Sequence, residues 1–268
     1  MLGLVELFTG HPRAATVVAS GPLQLQVLAP EAWTELCENG HPAVFNIERA
    51  SIRRLGDRLR HYVDGIAERT RGSVLELQPA RTGLLERLSK SLRPPAAPSV
   101  QALEILQGSD LFSWAAPTVL EAIAARCDRQ VFEEGHALCS QGEDAKCMWV
   151  VAKGEVDQVI RLEGGRVETL ATLKPGDAFG DESMALGSAR TLSYVAREGG
   201  VALAIGRERY LEFFSVDDAA GSVFRQGMCR NMVRQLMAAQ KRFVQLASLE
   251  APEEEMIHGT PVSTVWRD

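Results

Sequence analysis

Between Phe179 and Thr191 the chain sets a glycine, two adjacent carboxylates, a hydroxyl and a lone arginine close together, as FGDESMALGSART. Gly180 permits a close backbone approach. Glu182, Ser183 and Met184 would open a short helix, and the free amides of such a turn favour an anion. Arg190 offers a rigid fork of donors suited to a phosphate. Asp181 can accept hydrogen bonds from a sugar hydroxyl. Together these residues describe a phosphate-and-ribose cradle. The same residues also fit a surface turn, with Arg190 in an ordinary salt bridge to Asp181 or Glu182.

The elements around this stretch must be strands. From Val131 to Gly180, turn-forming glycines recur every seven to twelve residues between short β-prone runs, which indicates a small antiparallel roll. GDESMALG is too short for a domain helix and too polar for a core strand, so it reads as a one- or two-turn helical insert. TLSYVA and VALAIG follow as strands. GRERYLEFF reads as a short helix and Ser222 to Leu249 as a long one. Upstream, Leu103, Leu106, Leu111 and Phe112 are apolar anchors. Ala116 to Cys127 is helical, with Pro117 suited to its first turn.

The first part of the chain echoes the second. Gly3, Arg13 and Ala19 stand 177 positions before Gly180, Arg190 and Ala196. Arg53, Leu55, Tyr62 and Val63 fall on Arg234, Leu236, Phe243 and Val244 at an offset of 181. A fixed offset of this kind signals repeated structural units. AATVVAS and LQLQVLA, over residues 14–29, read as paired strands turning at Gly21-Pro22. EAWTELCENG is a short helix, and Phe45 to Thr70 is a long one with a single apolar face. This copy has no counterpart of Leu103 to Leu173. Leu75 to Leu92 reads as a short helix, broken by the proline-rich LRPPAAPS that marks a domain boundary. The expected organisation is a partial domain at 1–70, a linker at 71–100, a complete domain at 101–249 and a disordered tail at 250–268.

Bulk properties narrow the function. The chain has 268 residues, is 46% hydrophobic and carries a net charge of −6. That balance gives nonspecific nucleic-acid binding no support. Arg53, Arg54, Arg58, Arg60, Arg69, Arg71 and Arg81 crowd one region, as a solvated helix face or as a docking patch for a partner. Met1 to Phe8 lacks the early positive charge of a signal peptide, and no window reaches a membrane span. Five widely spaced cysteines form no zinc pattern and suit a reducing cytoplasm. His11, His41, His61, His136 and His258 show no nucleophile–base or metal-ligand spacing, and the phosphate-binding glycine loops of dinucleotide and ATP binders are missing. No catalysis, metal or cofactor is expected. The two long helices could pair within one chain or between subunits, and neither keeps a sustained heptad.

Residues 101–247 resemble the cyclic nucleotide-binding domains, such as those of the bacterial catabolite activator and of the regulatory subunit of cyclic-AMP-dependent kinase. Residues 179–192 follow that family's F-G-E-x-A-L, four-residue, P-R-A/T-A cassette without a gap. Gly135, Gln141-Gly142-Glu143, Val150-Val151 with Gly154-Glu155-Val156, and Leu173 to Gly176 match its upstream turns and strands. The resemblance implies an α+β fold: an antiparallel β-roll (jelly roll) flanked by helices, preceded by a truncated second copy. It implies that Arg190 binds a cyclic phosphate, with Ser183 and the neighbouring Glu182 and Met184 amides capping it. It also implies that Gly180 and Asp181 hold the ribose, Asp181 being one methylene shorter than the family's Glu. Thr191 stands where a Thr is associated with cyclic GMP. Base contacts would come from Met232, Val233 and Leu236, whose plain alternative is an apolar stripe packed on the roll.

In the first copy Pro12-Arg13-Ala14-Ala15 matches the closing motif, but Leu4 and Glu6 replace the ribose and small positions. A carboxylate there opposes an anion, so Arg13 reads as a non-functional echo. Either the sequence starts inside a longer gene, or the copy is a decayed domain used as packing. The implied function is a cytoplasmic, non-catalytic sensor for cyclic AMP or cyclic GMP that signals through its C-terminal helix. It would have a protein partner or self-association through the long helices, and no DNA or membrane binding. The alternative is a scaffold module that kept the roll and lost the ligand.

Overall fold

The computed structural model describes residues 2–12, 16–70, 101–162 and 167–250. The expected linker at 71–100, the tail beyond 250, Arg13 and the Gly164-Gly165 turn lie outside them. The roll comprises β1 (Asp128–Phe132), β2 (Ala137–Cys139), β3 (Cys147–Lys153), β4 (Val156–Arg161), β5 (Val167–Leu173), β6 (Ala178–Phe179), β7 (Ser193–Ala196) and β8 (Gly200–Gly206). These form two four-stranded antiparallel sheets, ordered β1-β8-β3-β6 and β2-β7-β4-β5. Both faces of β3 and β8 are buried, Met148, Val150 and Ile205 on one and Val151 and Ala202 on the other, which explains the dense apolar character of these strands.

The helices, in chain order, are α1 (Leu4–Thr9), α2 (Pro30–Glu38), α3 (Pro42–Thr70), α4 (Ala102–Gly108), α5 (Pro117–Ala124), α6 (Asp181–Leu186), α7 (Arg207–Glu212) and α8 (Ala219–Glu250). α4, α5 and α7 close one end of the roll around Phe224, whose ring stacks 4.1 Å from that of Phe213 and meets Tyr210 edge-on. No described helix is long and apolar enough to cross a membrane. All five cysteines are free. Burial pushes the Cys127 and Cys139 thiols up to about 12, so they pack as small apolar groups.

The 177-residue offset is a structural one. α1, α2 and α3 begin 177 positions before α6, α7 and α8. Gly3 and Gly180, which precede α1 and α6, share a left-handed φ of 79°. α3 and α8 lie side by side and run parallel. Near their starts Arg225 Nε donates to Glu48 Oε2 at 2.7 Å, and near their ends the Phe243 ring lies 5.4 Å from that of Tyr62. Equivalent positions of the two helices therefore face each other: Glu48 and Arg225 are 177 apart, Tyr62 and Phe243 are 181 apart. The neighbours are exchanged in the same sense. α6 packs on α3, and α1 packs on α8. The long helices thus pair within the chain, as an approximate two-fold. Gly65 permits the approach, since a Cβ there would stand 2.6 Å from the Phe243 ring.

The N-terminal end of this pairing is polar and closed. Glu48 and Arg225 are both fully buried. Arg225 also donates to the carbonyls of Phe213 and Val216 and lies 4.6 Å from the Phe45 ring centre. Ser222 and Gln226 donate to the other Glu48 oxygen. Burial raises the Glu48 carboxyl, and Arg225 opposes that shift. Arg225 Nη2 makes no hydrogen bond and lies 3.5 Å from Asp217 Oδ1; the paired charges are tolerated inside a core, but either partner alone is costly.

One expectation fails. Residues 16–29 form no strand. Their β-formers are exposed, Val18 at 83% and Val27 at 88%. At the 177 offset they correspond to β7 and β8, which pair with β2 and β4 and with β1 and β3. No described strand lies beside 16–29. Two short runs cannot hold a sheet by themselves, because a lone hairpin is at best marginal in water.

In hydrogen exchange, amides of residues 16–29 are expected to exchange at unstructured rates while those of 193–206 are protected; equal protection would refute the difference. Glu48→Ala should cost about 3–5 kcal/mol in urea unfolding, because it strands Arg225 in the core. A loss below about 1 kcal/mol would mean that the guanidinium finds water.

Candidate functional site

The site is built where β6 ends. Phe179 stacks between Trp149 and Tyr194, with centroid distances of 5.1 and 4.6 Å, and this aromatic layer sets the direction in which the chain leaves the sheet. Gly180 then takes its left-handed turn into α6. A Cβ at Gly180 would stand 2.8 Å from Arg190 Nη1, so the turn needs glycine on two counts. α6 ends after six residues at Gly187.

The return segment is pinned on both sides of Arg190. Arg190 N–H donates to the Glu143 carbonyl, and Gly142 N–H donates to the Arg190 carbonyl, both at 2.8 Å. This is the structural use of the Gln141-Gly142-Glu143 turn. The guanidinium points inward and the residue is 3% exposed. Nη1 donates to the Gly180 carbonyl at 2.5 Å, and Nη2 donates to the Cys147 carbonyl. The Trp149 ring lies 5.2 Å away. Nε is buried without a partner. No carboxylate among the described residues forms an ion pair with Arg190. The salt bridge to Asp181 or Glu182 that the residue types allow is therefore not made. A buried cation without a counter-charge is costly, and Arg190 keeps one donor open.

The two carboxylates of α6 turn elsewhere. Asp181 is fully buried. Its oxygens accept from Asn231 Nδ2 at 2.9 Å and Gln235 Nε2 at 3.1 Å, both on α8. Burial raises its carboxyl, and these amides oppose the shift. The residue read from sequence as the ribose contact thus has both carboxylate oxygens bonded to the helix behind it. Glu182 is also buried, with its carboxyl raised for the same reason. Its Oε2 accepts from Ser183 Oγ at 2.7 Å and from Thr191 Oγ1 at 3.1 Å. Its Oε1 receives Arg60 Nη2 at 3.2 Å, and the same Nη2 reaches Ser188 Oγ.

The remaining expected residues divide. Ser183 and Thr191 are brought to the site, with their hydroxyls committed to Glu182. Met184, Met232, Val233 and Leu236 are closed into the hydrophobic core, which is the plain reading of an apolar stripe. Arg60, Asn231, Gln235 and Trp149 were missed. Arg60 belongs to the arginine-rich run, and nothing in its sequence neighbourhood marks it, because its partners lie more than 120 positions away. Asn231 and Gln235 carried one usable signal. They lie four apart on a helix, and so share a face.

Residues 129–217 match the family described as the cyclic nucleotide-binding domain. The chain is 34% identical over 106 residues to the cyclic AMP receptor protein of Thermus thermophilus, covering 40% of this chain and 49% of that one. It is 26% identical over 112 residues to the cGMP-dependent protein kinase egl-4 of Caenorhabditis briggsae, covering 41% of this chain and 15% of that one. The matched region thus spans about half of the first relative and far less of the second. A cyclic nucleotide-binding domain from Methylobacillus flagellatus superposes with a TM-score of 0.46 at 18% identity, covering 57% of this chain and 84% of that one. The roll, the cassette of Gly180 to Arg190 inside it and the family match coincide, and on them this chain carries a domain of the cyclic nucleotide-binding family.

Proposed function

We propose that the chain is a non-catalytic regulatory sensor that binds a 3′,5′-cyclic nucleotide in the roll, with Arg190 on the cyclic phosphate. The observation that carries this reading is the Arg190 guanidinium, buried with no carboxylate partner and with a free Nε donor. A cyclic phosphodiester bears one negative charge and two terminal oxygens, which suits a fork of donors. The amides of Ser183 and Met184 would complete its coordination. Gly180 provides the room beside Arg190.

Cyclic AMP is preferred over cyclic GMP in this reading. Thr191 is the residue that hints at guanine, and its hydroxyl donates to Glu182. A donor spent there does not reach a base. The most similar curated relative named above is a cyclic AMP receptor, which supports the same choice.

Binding would be passed on through two helices. Asp181 ties the start of α6 to α8, and Arg60 ties its body to α3. A ligand that draws α6 toward Arg190 pulls on both, and the shift is limited to its differential affinity for the two arrangements. A scaffold module without ligand is the competing reading. It is favoured by Asp181, whose oxygens are already engaged by α8.

Leu4 to Thr70 is further proposed to be the helical part of a second copy. The shared offsets of three helices and the approximate two-fold support it.

Calorimetric titration of the full chain should give saturable cyclic AMP binding, with weaker binding of cyclic GMP. Arg190→Ala should weaken binding about 30-fold or more, since truncating one side of a buried charged pair costs about 2–5 kcal/mol. A folded wild-type protein that takes up neither nucleotide at millimolar concentration would select the scaffold. Gly180→Ala should also weaken binding by at least about tenfold, from a strained φ and a displaced guanidinium. Unchanged affinity would mean that Arg190 can bind from another rotamer.

A further inference from the structure

We infer that Arg60, on the first copy's long helix α3, is a positioning residue of the nucleotide site: it holds the Glu182 carboxylate away from Arg190 and so keeps the anion position open. This rests on the proposed binding at Arg190.

The problem it solves is electrostatic. α6 opens with two carboxylates, Asp181 and Glu182, in the cassette that must accept a phosphate. A carboxylate near an anion disfavours it, and more so in a buried site. Asp181 is removed from the problem by Asn231 and Gln235. Glu182 has only two hydroxyl donors from its own cassette, Ser183 and Thr191, and neither carries charge. Thr191 directly follows Arg190, so the Glu182 carboxylate is held one residue from the binding arginine. Without a cation of its own it has a buried one close by, and a Glu182–Arg190 pair would fill the position of the ligand.

Arg60 prevents this. It reaches from α3 to Glu182 Oε1 at 3.2 Å and also binds Ser188, at the end of α6. The ion pair is half-sheltered, with the Arg60 side chain 33% exposed and that of Glu182 7%. α3 can come this close because Gly56, one turn earlier, faces Leu186; a Cβ at Gly56 would stand 3.2 Å from that side chain. The first copy, whose own closing arginine reads as an echo, thereby supplies a residue to the site of the second.

The test is cyclic AMP titration of the full chain, with each variant first shown to be folded by its thermal transition. Arg60→Ala should weaken binding about tenfold, in the range of coupling between adjacent groups. Arg60→Lys, which keeps the charge, should stay within about threefold of wild type. The double variant Arg60→Ala/Glu182→Gln should recover to within about threefold, because a neutral side chain no longer competes for Arg190. Wild-type affinity in Arg60→Ala would overturn the inference. So would a double variant as weak as Arg60→Ala alone, which would mean that Arg60 acts through packing. A wild-type protein that binds no cyclic AMP would overturn the sensor reading itself, and is distinguished by failing before any change at Arg60.

Discussion

Two long parallel helices, α3 and α8, meet along their length, and near their starts the fully buried Arg225 is bonded to Glu48. Everything else is placed relative to this seam. The roll hangs from α8 through Asp181 and through Arg242, which binds Glu168 on β5 at 2.6 Å. α3 reaches the other side of α6. A buried ion pair contributes little net stability, but each partner makes the other obligatory. It therefore sets the register of the two helices more than it strengthens their contact. Register decides whether Arg60 stands beside Glu182 or one turn away.

The cassette distributes charge between the two helices. One guanidinium and two carboxylates lie within a dozen residues, and the simplest outcome would be a self-satisfied salt bridge. The fold avoids it by giving each carboxylate a partner on a different helix. Asp181 takes neutral amides from α8, and Glu182 takes a cation from α3. Arg190 is left with carbonyl oxygens and an aromatic face, acceptors that a phosphate can outcompete. With both carboxylates engaged elsewhere, Arg190 Nε is left without a partner.

Through Arg60 on α3, the first 70 residues are tied to Glu182 and Ser188 around α6. α1 and α3 repeat the offsets of α6 and α8 and exchange neighbours with them, so they cover the helical face of the roll. Residues 16–29, written largely in β-prone residues, form no strand and are exposed. Helices can persist in such a copy because their hydrogen bonds are internal. Strands cannot, because theirs must come from neighbours.

The sequence by itself determined the roll, the helical insert after Phe179, the long terminal helix and the 177-residue offset that three helix starts keep. Each of these rests on local signals: left-handed turns at glycine, apolar periodicity and a fixed offset. It also pointed to Arg190 as the arginine beside the glycine turn, because the turn before α6 and the segment after it are contiguous. The directions of the side chains were decided by tertiary structure. Asp181 has the right type for a sugar hydroxyl, but Asn231 and Gln235 stand within its short reach, 50 and 54 positions away. Arg60 sits in a run of arginines that sequence alone reads as solvated or as a docking patch, and only the α3–α8 register brings it to Glu182. The failure of strands at 16–29 is of the same kind. β-propensity is a local property, whereas a ladder requires a partner strand, and no described strand stands beside this segment.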